Sequence, residues 1–212
     1  QAGFDVNHNN VSDKCEILNG TFTDCNNNSI PDQIEFRALF NYSLATFNPP
    51  LNAFQSINTT LTRTQVVLGD DQETGAVTLP FVFKFFGLSV PSLFICSNGF
   101  ISFQDTSSIC NPAVLPVLIT IPSPDPPNNF IAGWYNDLFP PAAGAAIYYA
   151  TLGVAPFRRF IVEFNNVPYV TQFTLGNTFQ FVLYETTNVI DLQYEQVRIS
   201  SNINMGGQPS VV

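Results

Sequence analysis

The sequence predicts a mainly β protein: a β-sandwich, jelly-roll or immunoglobulin-like, preceded by a small N-terminal loop segment with short helices. Three observations carry this. Short runs rich in β-branched and aromatic residues recur along most of the chain, divided by Gly, Pro and Asn. Only 11% of residues are charged and Lys occurs only at Lys14 and Lys84, so the Glu- and Lys-rich faces of surface helices are missing. No helical periodicity separates the apolar runs, which favours packed sheets over alternating strands and helices.

In chain order, residues 1–40 form the loop segment and 41–212 the β-domain. The helix candidates are Asp13–Leu18 and Asp32–Phe40. Strands are expected at Gln65–Leu68, Val77–Phe86, Leu93–Phe103, Phe130–Asn136, Ala146–Thr151, Arg159–Phe164, Thr178–Glu185 and Val189–Tyr194. Turn signals fall at Gly69-Asp70-Asp71, Ser97-Asn98-Gly99, Pro140-Pro141 and Thr187-Asn188.

The net charge is −9, which argues against nucleic-acid binding and against docking on anionic membranes. No apolar run reaches the roughly 20 residues of a membrane-spanning helix. The chain starts at Gln1 without Met, as expected of a mature or trimmed segment. Four cysteines form two local pairs, Cys15/Cys25 and Cys96/Cys110. Such pairing suggests disulfides and an extracellular or cell-surface location; buried free thiols are the alternative. With one histidine and no Cys-x-x-Cys, no zinc site is expected.

The first 40 residues carry a near-repeat. Asp5–Glu16 and Asp24–Glu35 both read D-x-N-x-N-x-[V/I]-x-D-x-x-E. Oxygen-bearing side chains occupy positions 1, 3, 5, 9 and 12: Asp5, Asn7, Asn9, Asp13 and Glu16, then Asp24, Asn26, Asn28, Asp32 and Glu35. Val11 and Ile30 at position 7 can offer only a backbone carbonyl. This is the ligand schedule of a 12-residue EF-hand-type loop, whose alternate residues turn oxygens toward a hard cation. Every acid among the first 36 residues falls on a ligand position, so two Ca²⁺ ions are expected. Asn10 and Ser29 stand where such loops prefer glycine. A segment this poor in apolar residues needs metal binding to fold.

The stretch Asp24-Cys25-Asn26-Asn27-Asn28-Ser29-Ile30-Pro31-Asp32 resembles the tandem calcium loops of dockerin and thrombospondin type 3 repeats. The resemblance covers about 36 residues. It implies calcium-dependent folding, a bridge between Cys15 and Cys25, and roles in adhesion, spacing or assembly.

Further on, Leu79-Pro80-Phe81-Val82-Phe83-Lys84-Phe85-Phe86-Gly87 leads into Leu93-Phe94-Ile95-Cys96-Ser97-Asn98-Gly99-Phe100-Ile101-Ser102-Phe103. With Ile131–Leu138, Pro156–Pro168 and Phe179–Glu185, this is similar to secreted bacterial, nidogen-like β-domains across most of residues 65–195. The resemblance implies a β-sandwich of multidomain surface proteins with no shared catalytic activity. Its members continue beyond the position of Val212, so the expectation is either a truncated chain or a sandwich that lacks its last edge strand. A neighbouring subunit could fill that edge by strand addition.

No enzyme activity is expected. His8, the single histidine, cannot build a triad. Asp70, Asp71 and Asp137 could act as paired carboxylates, but turn formation and strand-end capping explain them better. Trp134 and Tyr135 could stack on sugars, but the flanking strand pattern favours a place in the core. Sequons at Asn10, Asn19, Asn27, Asn41 and Asn58 are glycosylation candidates. The expectation is an extracellular structural subunit of a surface or secreted filament or adhesive assembly, self-associating or touching neighbouring surface proteins. A carbohydrate-binding adhesin module, with glycans as partners, is the alternative.

Overall fold

The computed structural model describes residues 42, 45–46, 53–107, 110, 128–170 and 172–198. Both helix candidates and the residue 40/41 boundary lie outside these. The described residues form nine strands in two sheets. They are β1 Thr64–Val66, β2 Val77–Phe85, β3 Leu88–Cys96, β4 Phe100–Ser102, β5 Phe130–Ala132, β6 Ala146–Leu152, β7 Arg159–Tyr169, β8 Gln172–Tyr184 and β9 Ile190–Gln196. The five-stranded sheet runs β1-β6-β7-β8-β9 and the four-stranded sheet β2-β3-β4-β5. Within each sheet β2-β3-β4-β5 and β6-β7-β8-β9 lie side by side in chain order, while β1 crosses over to pair with β6. Neither the jelly-roll nor the immunoglobulin strand order is present among them.

Contacts divide the chain into two units. In the first, Tyr42, Ala45 and Thr46 group with the β2–β3 hairpin tip, Lys84–Ser89. Phe86 and Gly87 form that tip with φ of 46° and 80°, both left-handed, as a two-residue hairpin turn requires. Tyr42 packs edge-on against Phe86 at 5.1 Å between ring centres and donates its hydroxyl to the Lys84 carbonyl at 3.0 Å. Burial pushes the Tyr42 hydroxyl up to about 12.

The second unit spans residues 48–83 and 90–212. Its five-stranded sheet buries both faces at β7, which explains why that strand reads as a continuous apolar run. One face carries Phe160, Val162 and Phe164 with Phe179, Phe181 and Leu183, all 2% exposed or less. Phe164 and Phe179 stack at 4.7 Å. Gly133, just after β5, lies where an added Cβ would sit 2.6 Å from the Phe181 ring. The backbone of one sheet thus rests on aromatic rings of the other, a sandwich-like contact that only glycine allows.

The opposite face of the five-stranded sheet is covered by the chain itself. Register places Tyr148, Glu163 and Gln180 in one row and Ala150, Ile161 and Val182 in the next. Ile57 packs into the second row and is fully buried. Glu163, also fully buried, accepts from the Ile57 N–H at 2.7 Å, the Ser56 hydroxyl at 2.7 Å, Asn165 at 2.9 Å and Gln180 at 2.6 Å. Gln180 also donates to the Gln55 carbonyl at 2.9 Å. A buried carboxylate is tolerated only when its oxygens are filled in this way.

In the four-stranded sheet, Ile95, Ile101 and Ile131 are register partners on one face, and Cys96, Phe100 and Ala132 on the other. Cys96 bonds Cys110, fastening a loop over the second face with Phe130 and Tyr135. The expected strand Leu93–Phe103 breaks at Ser97–Gly99, where Gly99 has a φ of 79° and lies against the Trp134 carbonyl. Among the described residues no helix is long and apolar enough to cross a membrane.

Candidate functional site

The twelve calcium-loop residues, Asp5 through Glu35, lie outside the described residues. So do Cys15, Cys25, Asn10, Asn19, Asn27 and Asn41. Asn58 lies half-buried in a turn closed by the Thr60 N–H on the Ile57 carbonyl at 3.0 Å. The Cys96–Cys110 disulfide is formed, with Cα atoms 5.8 Å apart. Trp134 and Tyr135 are 4% and 5% exposed, and the indole N–H of Trp134 donates to the Tyr169 hydroxyl at 2.8 Å. They serve the core and offer no ring face to a sugar.

Asp70, Asp71 and Asp137 come together. One carboxylate oxygen from each lies within 4.8 Å of the other two. Asp70 and Asp71 occupy the turn between β1 and β2, where Asp71 adopts a left-handed φ of 54°. Asp137 lies in the stretch between β5 and β6. Asn98, 1% exposed, ties the two stretches together. Its amide donates to Asp71 Oδ1 at 2.8 Å and to the Cys110 carbonyl at 2.7 Å, and its oxygen accepts the Leu138 N–H at 2.9 Å. The disulfide fixes Cys110 and so helps to hold Asn98.

Burial, then the charges of Asp70 and Asp71, push the Asp137 carboxyl up to about 6. Burial and Asp71 also raise Asp70. Gathered like charges of this kind favour a shared proton or a cation. The donors are all hard oxygens, suited to Ca²⁺ or Mg²⁺, and three carboxylates would supply part of a shell of six to eight.

A second feature lies at the far end of β6. The β6–β7 loop exposes Val154 and Phe157 at 76% and 77%, and the β8–β9 turn exposes Val189 at 50%. The loop is braced: Arg158 and Glu185 form a two-pronged pair at 2.9 and 2.7 Å, and Thr186 donates its hydroxyl to the Pro156 carbonyl at 2.8 Å. Arg158 holds the Glu185 carboxyl down at about 2. Sequence reasoning missed this tip, because turn residues give no periodic pattern against which an outward Phe stands out. It also missed the Glu163 clamp, although a single acid inside Arg159-Phe160-Ile161-Val162-Glu163-Phe164 was a visible signal.

Two antiparallel sheets, one closed by a disulfide-linked loop, define a mainly β domain of sandwich-like build. The chain belongs to the NIDO-related family, whose model matches residues 41–211. This supports the nidogen-like resemblance of the sequence. No curated protein and no solved structure matches the chain.

Proposed function

We propose that this protein is an extracellular structural subunit that self-associates into a surface or secreted filament or adhesive assembly, stabilised by Ca²⁺ in its N-terminal loops. The observation that carries the proposal is the braced apolar tip. Exposed apolar side chains gathered in one place mark contact surfaces, whereas singly scattered ones are ordinary. The buried disulfide favours an oxidising compartment. The two D-x-N-x-N-x-[V/I]-x-D-x-x-E loops supply the calcium expectation, and the Asp70/Asp71/Asp137 cluster offers a further place for a hard cation.

Strand addition remains one route to assembly. Among the described edges, β1 and β5 have three residues each, and β2 carries Pro80 and Lys84, both of which discourage pairing. β9, with seven residues and no proline, is the edge best suited to it. With Trp134 and Tyr135 buried, the aromatic pair on which the carbohydrate-binding alternative rested lends it no support.

Electron microscopy of the purified full chain tests the proposal. Regular fibres in Ca²⁺ that fray or dissolve with a chelator are expected. Dispersed single molecules under both conditions would overturn it.

A further inference from the structure

We infer that Asn58 carries an N-linked oligosaccharide. The inference goes beyond self-assembly and rests only on the extracellular part of the reading above. Asn58-Thr59-Thr60 is the one Asn-x-Ser/Thr triplet whose asparagine lies among the described residues. Such triplets also arise by chance, so what the fold does with this asparagine decides the matter.

The backbone of the triplet is pinned, while its side chains are left over. The Ile57 N–H donates to the buried Glu163 at 2.7 Å, and the Asn58 N–H to the Ser56 hydroxyl at 3.2 Å. The Thr60 N–H closes the turn on the Ile57 carbonyl at 3.0 Å, and the Thr60 carbonyl accepts the Arg63 N–H at 3.1 Å. Among the described residues no hydrogen bond uses the Asn58 amide or the Thr60 hydroxyl. Neither is a buried group lacking a partner. Asn58 is half-buried as a residue, yet its amide is open to water.

Other asparagines of this domain are spent on the fold. The amides of Asn98, Asn129, Asn165, Asn166, Asn177 and Asn188 all donate to oxygens of the chain. An amide already holding such a contact gives up stability when its N–H is replaced. Asn58 can exchange an N–H for a sugar bond without that loss.

The donor class is a lipid-linked oligosaccharyl pyrophosphate, transferred by an oligosaccharyltransferase. The Asn58 amide nitrogen bonds to the anomeric carbon of the first sugar. The bond from that carbon to the pyrophosphate breaks, and the lipid pyrophosphate leaves with the electron pair. The displaced amide proton passes to a base of the transferase. The open Thr60 hydroxyl is the second group that the triplet presents for recognition. The product has room: Thr59 is exposed and Leu61 is 99% exposed. Surface turns accept added bulk, and the C–H face of the first sugar can cover an apolar side chain such as Leu61.

The full chain is secreted in Ca²⁺ from a eukaryotic host that glycosylates its exports, alongside Thr60→Ala and Thr60→Ser. The Thr60 hydroxyl holds no contact, so both variants should fold. Peptide-N-glycosidase in heavy-oxygen water marks each occupied asparagine as labelled aspartate, which peptide mass spectrometry locates. Wild type and Thr60→Ser should be marked at Asn58 in most molecules, and Thr60→Ala should lose that mark. An unmarked Asn58 in folded, secreted wild type would overturn the inference, and so would a mark that survives Thr60→Ala. Ca²⁺-dependent fibres of unmarked chains would leave the self-assembly reading standing. Marked chains that stay single would overturn that reading alone.

Discussion

Glu163 shows what one side chain does in this fold. Its carboxylate gathers two side-chain amides, a hydroxyl and a backbone N–H while fully buried. Glu163→Leu would leave the Ile57 N–H and the Gln180 and Asn165 amides without their acceptor. The expected cost is about 3–5 kcal/mol, read as a lower urea midpoint. Asp137 has the opposite character, because its charge is unwelcome. Its carboxyl is raised from 3.8 to about 6, so between these pH values the folded state holds a proton that the unfolded chain has released. Stability should therefore fall as pH rises from about 4 to about 6, and Asp137→Asn should flatten that slope in melts taken across the range. Glu185 differs in sign. Held down at about 2, its contribution is present above 4.5 and is lost as pH falls through 2. The sequence revealed the burial of Trp134, whose flanks read as strand. It offered Asp70, Asp71 and Asp137 as possible paired carboxylates but favoured separate turn and capping roles, because nothing local shows that positions 66 apart in the chain meet.

At the level of elements, the strands were the most legible part of the chain. β2 alternates exposed and buried residues along its length, and β7 reads as a buried run. Extents were less legible. β7 and β8 continue to Tyr169 and from Gln172, through a ladder interrupted near Asn166. Asn and Pro signal turns locally, while pairing with a neighbour can override them. The break between β3 and β4 was marked by Asn98-Gly99, and the disulfide spans it. Cys96 and Cys110 close a loop of about 15 residues, worth about 3 kcal/mol in the chain-entropy account. Replacing both by Ser should lower the melting temperature by several degrees in a calorimeter. It should also loosen Asn98, whose amide is fixed partly by the Cys110 carbonyl.

For the molecule as a whole, the two-sheet class followed from strand spacing, whereas strand order did not, because sequence patterns show faces but not neighbours. The assembly proposal belongs to this scale as well. Fibres that respond to chelation address the outside of the molecule, which composition alone describes only as sparsely charged. The clamp on residues 55–57 also bears on how the chain acquires its shape during synthesis. Ile57 awaits Glu163, 106 positions later, and Gln55 awaits Gln180, 125 positions later. At roughly 5–20 residues per second, the ribosome takes on the order of 10 s to deliver those partners. Until then a fully apolar Ile57 has no pocket. A nascent chain interrupted before residue 180 would expose it, making this short segment a natural recognition point for chaperones.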